Sequence, residues 1–343
     1  MQRPVFILGF HKSGTTLLRS LLDGVPGVFA IPIETHIYEH LGFWVDYEIR
    51  RQLPQELDFG QFLARIENVL TLSNKKNSQK DTHGGDSIDG GNLLIEEFTA
   101  YFSTHARMPF ENNDQRALID AYFEALHLAM TGSLPASEVR FVEKTVENAE
   151  FTGYLYKYYP DAVFIHIIRN PYAALVASRK FRTTRNRYPY LGTILRAMEN
   201  SFYHAFHNPR LHENYHMIRY EDLVQDTEKT MQQIAEFTGI PYNPAMLIPS
   251  TLGSPWKGNS MSGKGFDGIS QAPVYAWKKD IFPLEAALIN LLLPHVLTRF
   301  GYETHPTASS VYLPCKRETI PMYIANRFFW LTSKNRRTST VNT

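Results

Sequence analysis

The segment PVFILGFHKSGTTLLRSLLD, Pro4 to Asp23, leaves little freedom in how this chain can fold. Val5 to Leu8 is a short, wholly apolar run, the pattern of a strand buried in a parallel sheet. Gly9 to Thr16, GFHKSGTT, is a turn of small residues. Leu17 to Leu22 opens an apolar helix, with Thr15 or Thr16 placed in its cap or first turn. A strand, a glycine-bearing loop and a helix N-terminus in succession make an anion site. The unpaired amides of the first helical turn point into the loop, and the helix dipole favours negative charge there. Gly9 and Gly14 let the backbone approach a ligand, and Lys12 adds a point charge.

The spacing can be set against the nucleotide-binding loop GxxxxGK[ST]. Gly9, Gly14 and Thr16 hold their places, but Thr15 occupies the lysine position and the lysine sits inside the loop as Lys12. The segment therefore reads as a phosphate cradle without the lysine that serves the β- and γ-phosphates in a kinase or GTPase. A second apolar strand, Ala162 to Ile168, ends in Arg169-Asn170-Pro171 ahead of a helix from Tyr172 to Lys180. A magnesium-dependent NTPase needs an aspartate at such a strand end, whereas a cation there suits a phosphate directly. Further strands are expected at Val28 to Ile31, at Arg140 to Thr145 and ahead of Tyr220, and a helix at Glu150 to Tyr159. This rhythm predicts an α/β fold with a P-loop-like doubly wound parallel sheet and flanking helices.

Between Leu41 and Arg140 the pattern changes. Phe59 to Leu72, Leu93 to Ala106 and Gln115 to Met130 have helical periodicity, and the polar stretch Ser73 to Asn92 is expected to be a loop. The block reads as a helical insertion covering the acceptor side of the site, or as plain scaffold. Residues 1–301 are expected to form a single domain and 302–343 an irregular tail. The aromatic stretch Tyr323 to Trp330 is expected to dock on that domain. A hydrophobic share of 43% in 343 residues is that of a globular chain, and a net charge of +1 argues against a general nucleic-acid binder. The single Cys315 excludes an intramolecular disulfide and disfavours a thiolate metal cluster. Met1 stands almost at the first strand and no apolar run reaches membrane-spanning length, so a cytoplasmic protein is expected.

The run K-S-G-T-T after a first strand resembles the 5′-phosphosulfate loop of sulfotransferases that use 3′-phosphoadenosine 5′-phosphosulfate (PAPS), the bacterial-type broad family related to the tyrosylprotein sulfotransferases. RNPYAALVASRKFR resembles their 3′-phosphate motif, which implies a clamp of Arg169 and Ser178 with Arg182 beside it. The family serine falls one residue earlier, where Ala177 stands; Arg182 keeps its spacing from Ser178. MIRYEDLV resembles a strand end of the superfamily and implies that Tyr220 contacts the donor nucleotide. W-x-G-N-S resembles a C-terminal loop of the family and places the donor against Lys257, Gly258, Asn259 and Ser260.

What the resemblance implies is metal-free, in-line transfer of a sulfuryl group from PAPS to an acceptor hydroxyl or amine. Lys12 and the amides of Ser13, Gly14, Thr15 and Thr16 would meet the charge that develops. The acceptor must lose a proton, so a base is needed. Tyrosylprotein sulfotransferases use a glutamate soon after the first loop, which points to Glu34. Cytosolic sulfotransferases use a histidine, which points to His36, and both stay candidates. Lys144 lies near the position of a lysine that assists the transition state, with Val146 where the family has proline. Two other readings stay open: a P-loop kinase or NTPase-like enzyme, and an inactive nucleotide-binding member of the family. The acceptor could be a small molecule, a glycan or a peptide tyrosine.

Overall fold

The computed structural model describes residues 3–78, 93–182, 190–256, 258, 268–307, 309–315 and 318–340. Among them, five strands form one parallel sheet: β1 (Val5–Gly9), β2 (Val28–Ala30), β3 (Arg140–Lys144), β4 (Val163–Ile168) and β5 (Tyr215–Arg219), in the order β2-β3-β1-β4-β5. The apolar run at the start of the chain becomes the central strand because its side chains are wanted on both faces. Val5 pairs with Val142 on one side and Val163 on the other. Phe6 and Leu8 feed one core, while Val5 and Ile7 feed another on the opposite face.

The helices are α1 (Thr15–Leu22), α2 (Ile37–His40), α3 (Phe59–Ser78), α4 (Ile95–Glu111), α5 (Gln115–Thr131), α6 (Thr152–Tyr158), α7 (Pro171–Arg182), α8 (Leu191–His207), α9 (Tyr220–Gln225), α10 (Thr227–Thr238), α11 (Ala272–Tyr275), α12 (Pro283–Leu292), α13 (Pro294–Arg299) and α14 (Ile320–Thr340). α1, α9 and α10 pack on the face that holds Val5 and Ile7. The helices between β2 and β3, with α7, α8 and α12, bury the Phe6 face. β3 lies on one side of β1 and β4 on the other, so the chain crosses β1 between them. Open α/β sheets bind ligands at the carboxyl ends of strands where the order switches in this way, and here that place is the end of β1.

Four local expectations change. Leu72 does not end α3, which runs on to Ser78; the rest of the expected loop, 79–92, lies outside the described residues. The segment expected to be helical from Glu150 begins as a 3-10 turn, Val146–Phe151, before α6. Tyr220 is not the end of β5 but the first residue of α9. The tail expected to be irregular contains α14. That helix is docked on the domain: Met322, Asn326 and Ser333 are buried, and the Asn326 Oδ1 accepts the Leu191 amide at 2.9 Å. Its apolar residues occupy more than one side, which blurs the periodicity that would have announced it.

Candidate active site

The loop after β1 is shaped by two glycines. Gly9 sits at φ 150° with its Cα against β4; a Cβ there would lie 2.7 Å from the Ile167 carbonyl oxygen. Gly14 sits at φ 97°, and a Cβ there would run into the Tyr220 ring. Lys12 also takes a positive φ, 64°, and the Ser13 amide donates to the Phe10 carbonyl at 3.1 Å. α1 starts directly from Gly14 with no side-chain cap from that position, while Ser13 and Thr15 are buried beneath the loop. A helix start of this kind offers its first amides to an anion.

Arg169 leaves the end of β4 and reaches back to this loop. Its Nη1 donates to the Lys12 carbonyl and its Nη2 to the Pro273 carbonyl at 3.0 Å, with the guanidinium 4.4 Å from the centre of the Tyr220 ring. Among the described residues no carboxylate forms an ion pair with it, and its Nε has no hydrogen-bond partner. Burial lowers its pKa. On α7, the Ser178 hydroxyl is likewise buried without a partner. Burying an unpaired cation costs on the order of several kcal/mol. A guanidinium and a hydroxyl with unfilled hydrogen-bonding capacity are thus buried on the same strand-to-helix unit. The Tyr220 ring lies against both Arg169 and Gly14. The Arg182 side chain and residues Lys257, Asn259 and Ser260 lie outside the described residues; Gly258 adopts φ 81°.

A second cluster forms at the ends of β2 and β3. Lys144 Nζ donates to Glu34 Oε1 at 2.9 Å, His36 Nε2 stands 3.4 Å from Glu34 Oε2, and Arg50 Nη2 stands 3.7 Å from the same oxygen. Burial opposes ionisation of Glu34, but Lys144 and His36 outweigh it and hold its pKa well below the usual carboxylate range. His36 occupies a left-handed position, φ 46°, just ahead of α2. Its Nδ1 is 3.5 Å from Glu39 and 3.6 Å from Glu147. Burial works against the imidazolium, yet Glu147 and Glu34 raise its pKa above the ordinary 6.5. The cluster thus sets a carboxylate whose ionised form is favoured beside an imidazole whose protonated form is favoured and the Lys144 amine.

Several of its members have no signal in the sequence reading. Arg50, from the irregular stretch after α2, places Nε 2.7 Å from Glu147 Oε1. Glu143 accepts the Thr35 hydroxyl at 2.9 Å, the Thr145 hydroxyl, and the Asn148 amide at 2.7 Å, which ties the Glu34 segment to the end of β3. His11 of the first loop lies 3.9 Å from Glu147 and 5.4 Å, ring to ring, from Tyr47; burial pushes its pKa down to about 3. Nothing in the sequence says that Arg50 folds back to meet Glu147. The α5 residue Tyr122 supports the same segment by donating to the Thr35 carbonyl at 3.3 Å.

Over residues 4–244 the sequence matches the sulfotransferase family, and the chain belongs to that family. Its fold is similar to the sulfotransferase domain from the curacin biosynthetic pathway, with a TM-score of 0.51 and 17% identity, covering 89% of this chain and 99% of that one. It is also similar to the sulfotransferase domain from the Synechococcus PCC 7002 olefin synthase, with a TM-score of 0.50 and 19% identity over 89% and 98% of the two chains. A comparison with curated protein sequences returned no match. Family membership supports a transferase acting in sulfuryl transfer.

Proposed function

We propose that this chain moves a sulfuryl group from PAPS to a hydroxyl or amine of an acceptor. The observation that carries the reading is the incomplete pair on the β4–α7 unit. Arg169 and Ser178 are buried with unfilled hydrogen-bonding capacity, beside a loop whose helix start has no side-chain cap from Gly14. A 3′-phosphate supplies the charge and the acceptor atoms that this pair lacks. The loop residues Lys12, Ser13, Gly14, Thr15 and Thr16 would hold the 5′-phosphosulfate, and Tyr220 would flank the nucleotide. The donor, when bound, supplies an activated sulfuryl group. Lys12 and the loop amides stabilise negative charge at that end of β1.

Between the two candidate bases, the electrostatics favour Glu34. Against the effect of burial, Lys144 and His36 hold the Glu34 pKa below the usual carboxylate range, whereas Glu147 and Glu34 raise that of His36. Glu34 takes the acceptor proton, Lys144 faces it as a cation near the reacting end, and His36 and Glu147 hold its orientation.

Release of 3′-phosphoadenosine 5′-phosphate from PAPS, followed by chromatography over phenol, alcohol, sugar and tyrosyl-peptide acceptors, tests the reading. Transfer to at least one class is expected. Glu34→Gln should lower kcat by about 10²–10⁴-fold while leaving binding of 3′-phosphoadenosine 5′-phosphate within about twofold. Magnesium-dependent ATP hydrolysis without any use of PAPS would place the chain among nucleotide hydrolases instead. Binding without transfer to any acceptor would make it a nucleotide-binding module.

A further inference from the structure

The first loop carries a side chain that the proposed reaction leaves without a task. The Ser13 amide returns to the Phe10 carbonyl at 3.1 Å, so His11 and Lys12 are the two central residues of a tight turn. Phe10 is buried and ties that turn to the core. The His11 ring stands 6.3 Å from the Phe10 ring and 5.4 Å from that of Tyr47, centre to centre, the second contact edge-on at 81°. Its Nε2 is 3.9 Å from Glu147 Oε1, too far for a hydrogen bond. Among the described residues neither ring nitrogen has a hydrogen-bond partner, and 23% of the side chain is open.

The polar groups around it are committed to one another. Lys144 Nζ donates to Glu34 at 2.9 Å, His36 stands between Glu34 and Glu147, and Arg50 Nε lies 2.7 Å from Glu147. His11 is an imidazole at this end of the sheet with hydrogen-bonding capacity to spare. Its place decides what that capacity meets. It is the neighbour of Lys12 in the donor loop, yet its ring faces Tyr47 and Glu147 rather than Arg169, Ser178 or Tyr220. His11 and Glu34 also lie within each other's electrostatic reach. An acceptor oxygen that attacks a sulfuryl group held by the loop, while giving its proton to Glu34, has to lie between the loop and the Glu34 cluster. His11 belongs to both. Burial favours its neutral form, and Arg50, Lys144 and Lys12 add to that against the opposing field of Glu34. A neutral imidazole has one N–H to donate, and it draws less charge from a nucleophilic oxygen than a cation does.

We propose that His11 orients the acceptor: one ring N–H donates to the acceptor oxygen, the proton of that oxygen points to Glu34, and a remaining lone pair faces the sulfuryl group at the loop. The inference rests on the PAPS reading and deepens it, by giving the first loop an acceptor side as well as a donor side.

Two variants test it, because they separate the nitrogens from the ring. His11→Phe keeps the aromatic contacts with Phe10 and Tyr47 and removes both nitrogens; His11→Asn removes the ring and keeps an N–H. Initial rates are measured with PAPS and with phenol, ethanol, glucose and a tyrosyl peptide as acceptors, beside calorimetry of 3′-phosphoadenosine 5′-phosphate. His11→Phe should lower kcat/KM for the acceptor roughly tenfold to a hundredfold, with binding of 3′-phosphoadenosine 5′-phosphate within about twofold of wild type. His11→Asn should retain more transfer than His11→Phe. A packing role predicts the reverse order, so His11→Phe matching or exceeding His11→Asn overturns the proposal. Loss of 3′-phosphoadenosine 5′-phosphate binding in both variants would put His11 on the donor side and overturn it as well. A wild-type chain that transfers nothing from PAPS removes the PAPS reading and this inference together, whereas a wild type that transfers beside an equally active His11→Phe removes this inference alone.

Discussion

At the scale of single residues, the site is a balance of buried charges. His36 is the residue whose state reports that balance. Its pKa is raised in the folded chain, so the stability it contributes through Glu34 and Glu147 is fully present below the ordinary 6.5 and is lost as pH rises through the higher folded value. Thermal stability should therefore fall on the alkaline side of about 6.5 in the wild type and fall less in His36→Gln. The ring nitrogens followed by NMR give a second readout: Glu147→Gln should bring the His36 titration back toward the ordinary value, and an unchanged titration would contradict the account. Glu34 has the opposite sign. Its pKa is depressed, so its contribution is present above the usual carboxylate range and is lost only as pH falls through the lowered value.

At the scale of elements, the β1–loop–α1 unit depends on backbone that only glycine tolerates. Gly14→Ala meets both a positive φ and the Tyr220 ring. A loss of about 1–3 kcal/mol is expected, seen as a melting temperature lowered by several degrees together with loss of nucleotide binding. Gly14→Ala with Tyr220→Ala should recover only the part due to the ring. At the other end of the chain, the Asn326 Oδ1 accepts the Leu191 amide, and its Nδ2 donates to Glu318 at 2.8 Å. Asn326→Leu strands a buried amide at roughly 1–3 kcal/mol, and hydrogen exchange at Leu191 should speed up accordingly.

These elements also separate what was legible in the sequence from what was not. β1, β3, β4 and α1 were legible because an apolar run bounded by small or charged residues has few other uses. Arg169 was legible as a cation at the end of β4, while Ser178 was reached only through the family resemblance, and their joint role stays a proposal. Arg50, Glu143 and Glu147 were not, because their roles arise from chain segments far apart in sequence that meet only once the sheet order is set. α14 was missed because its apolar residues do not follow one clean period, and part of its support is docking through Met322 and Asn326.

At the scale of the molecule, two cores share one sheet, and alternate residues of β1 and β4 belong to each. Unfolding either helical layer uncovers strands that the other layer needs. We propose that 1–301 behaves as one domain, with α14 docked on it. A single calorimetric transition is expected, and two well-separated transitions would contradict that.

The central claim is that Arg169 and Ser178 await a 3′-phosphate. Titration calorimetry of 3′-phosphoadenosine 5′-phosphate against 5′-AMP, on the wild type and on Arg169→Ala, tests it most directly. The account predicts that the 3′-phosphate strengthens binding by at least about tenfold, through charge-assisted hydrogen bonds of roughly 1.5–3 kcal/mol, and that Arg169→Ala abolishes this difference. Equal affinity for the two nucleotides, or a difference that survives in Arg169→Ala, would contradict it.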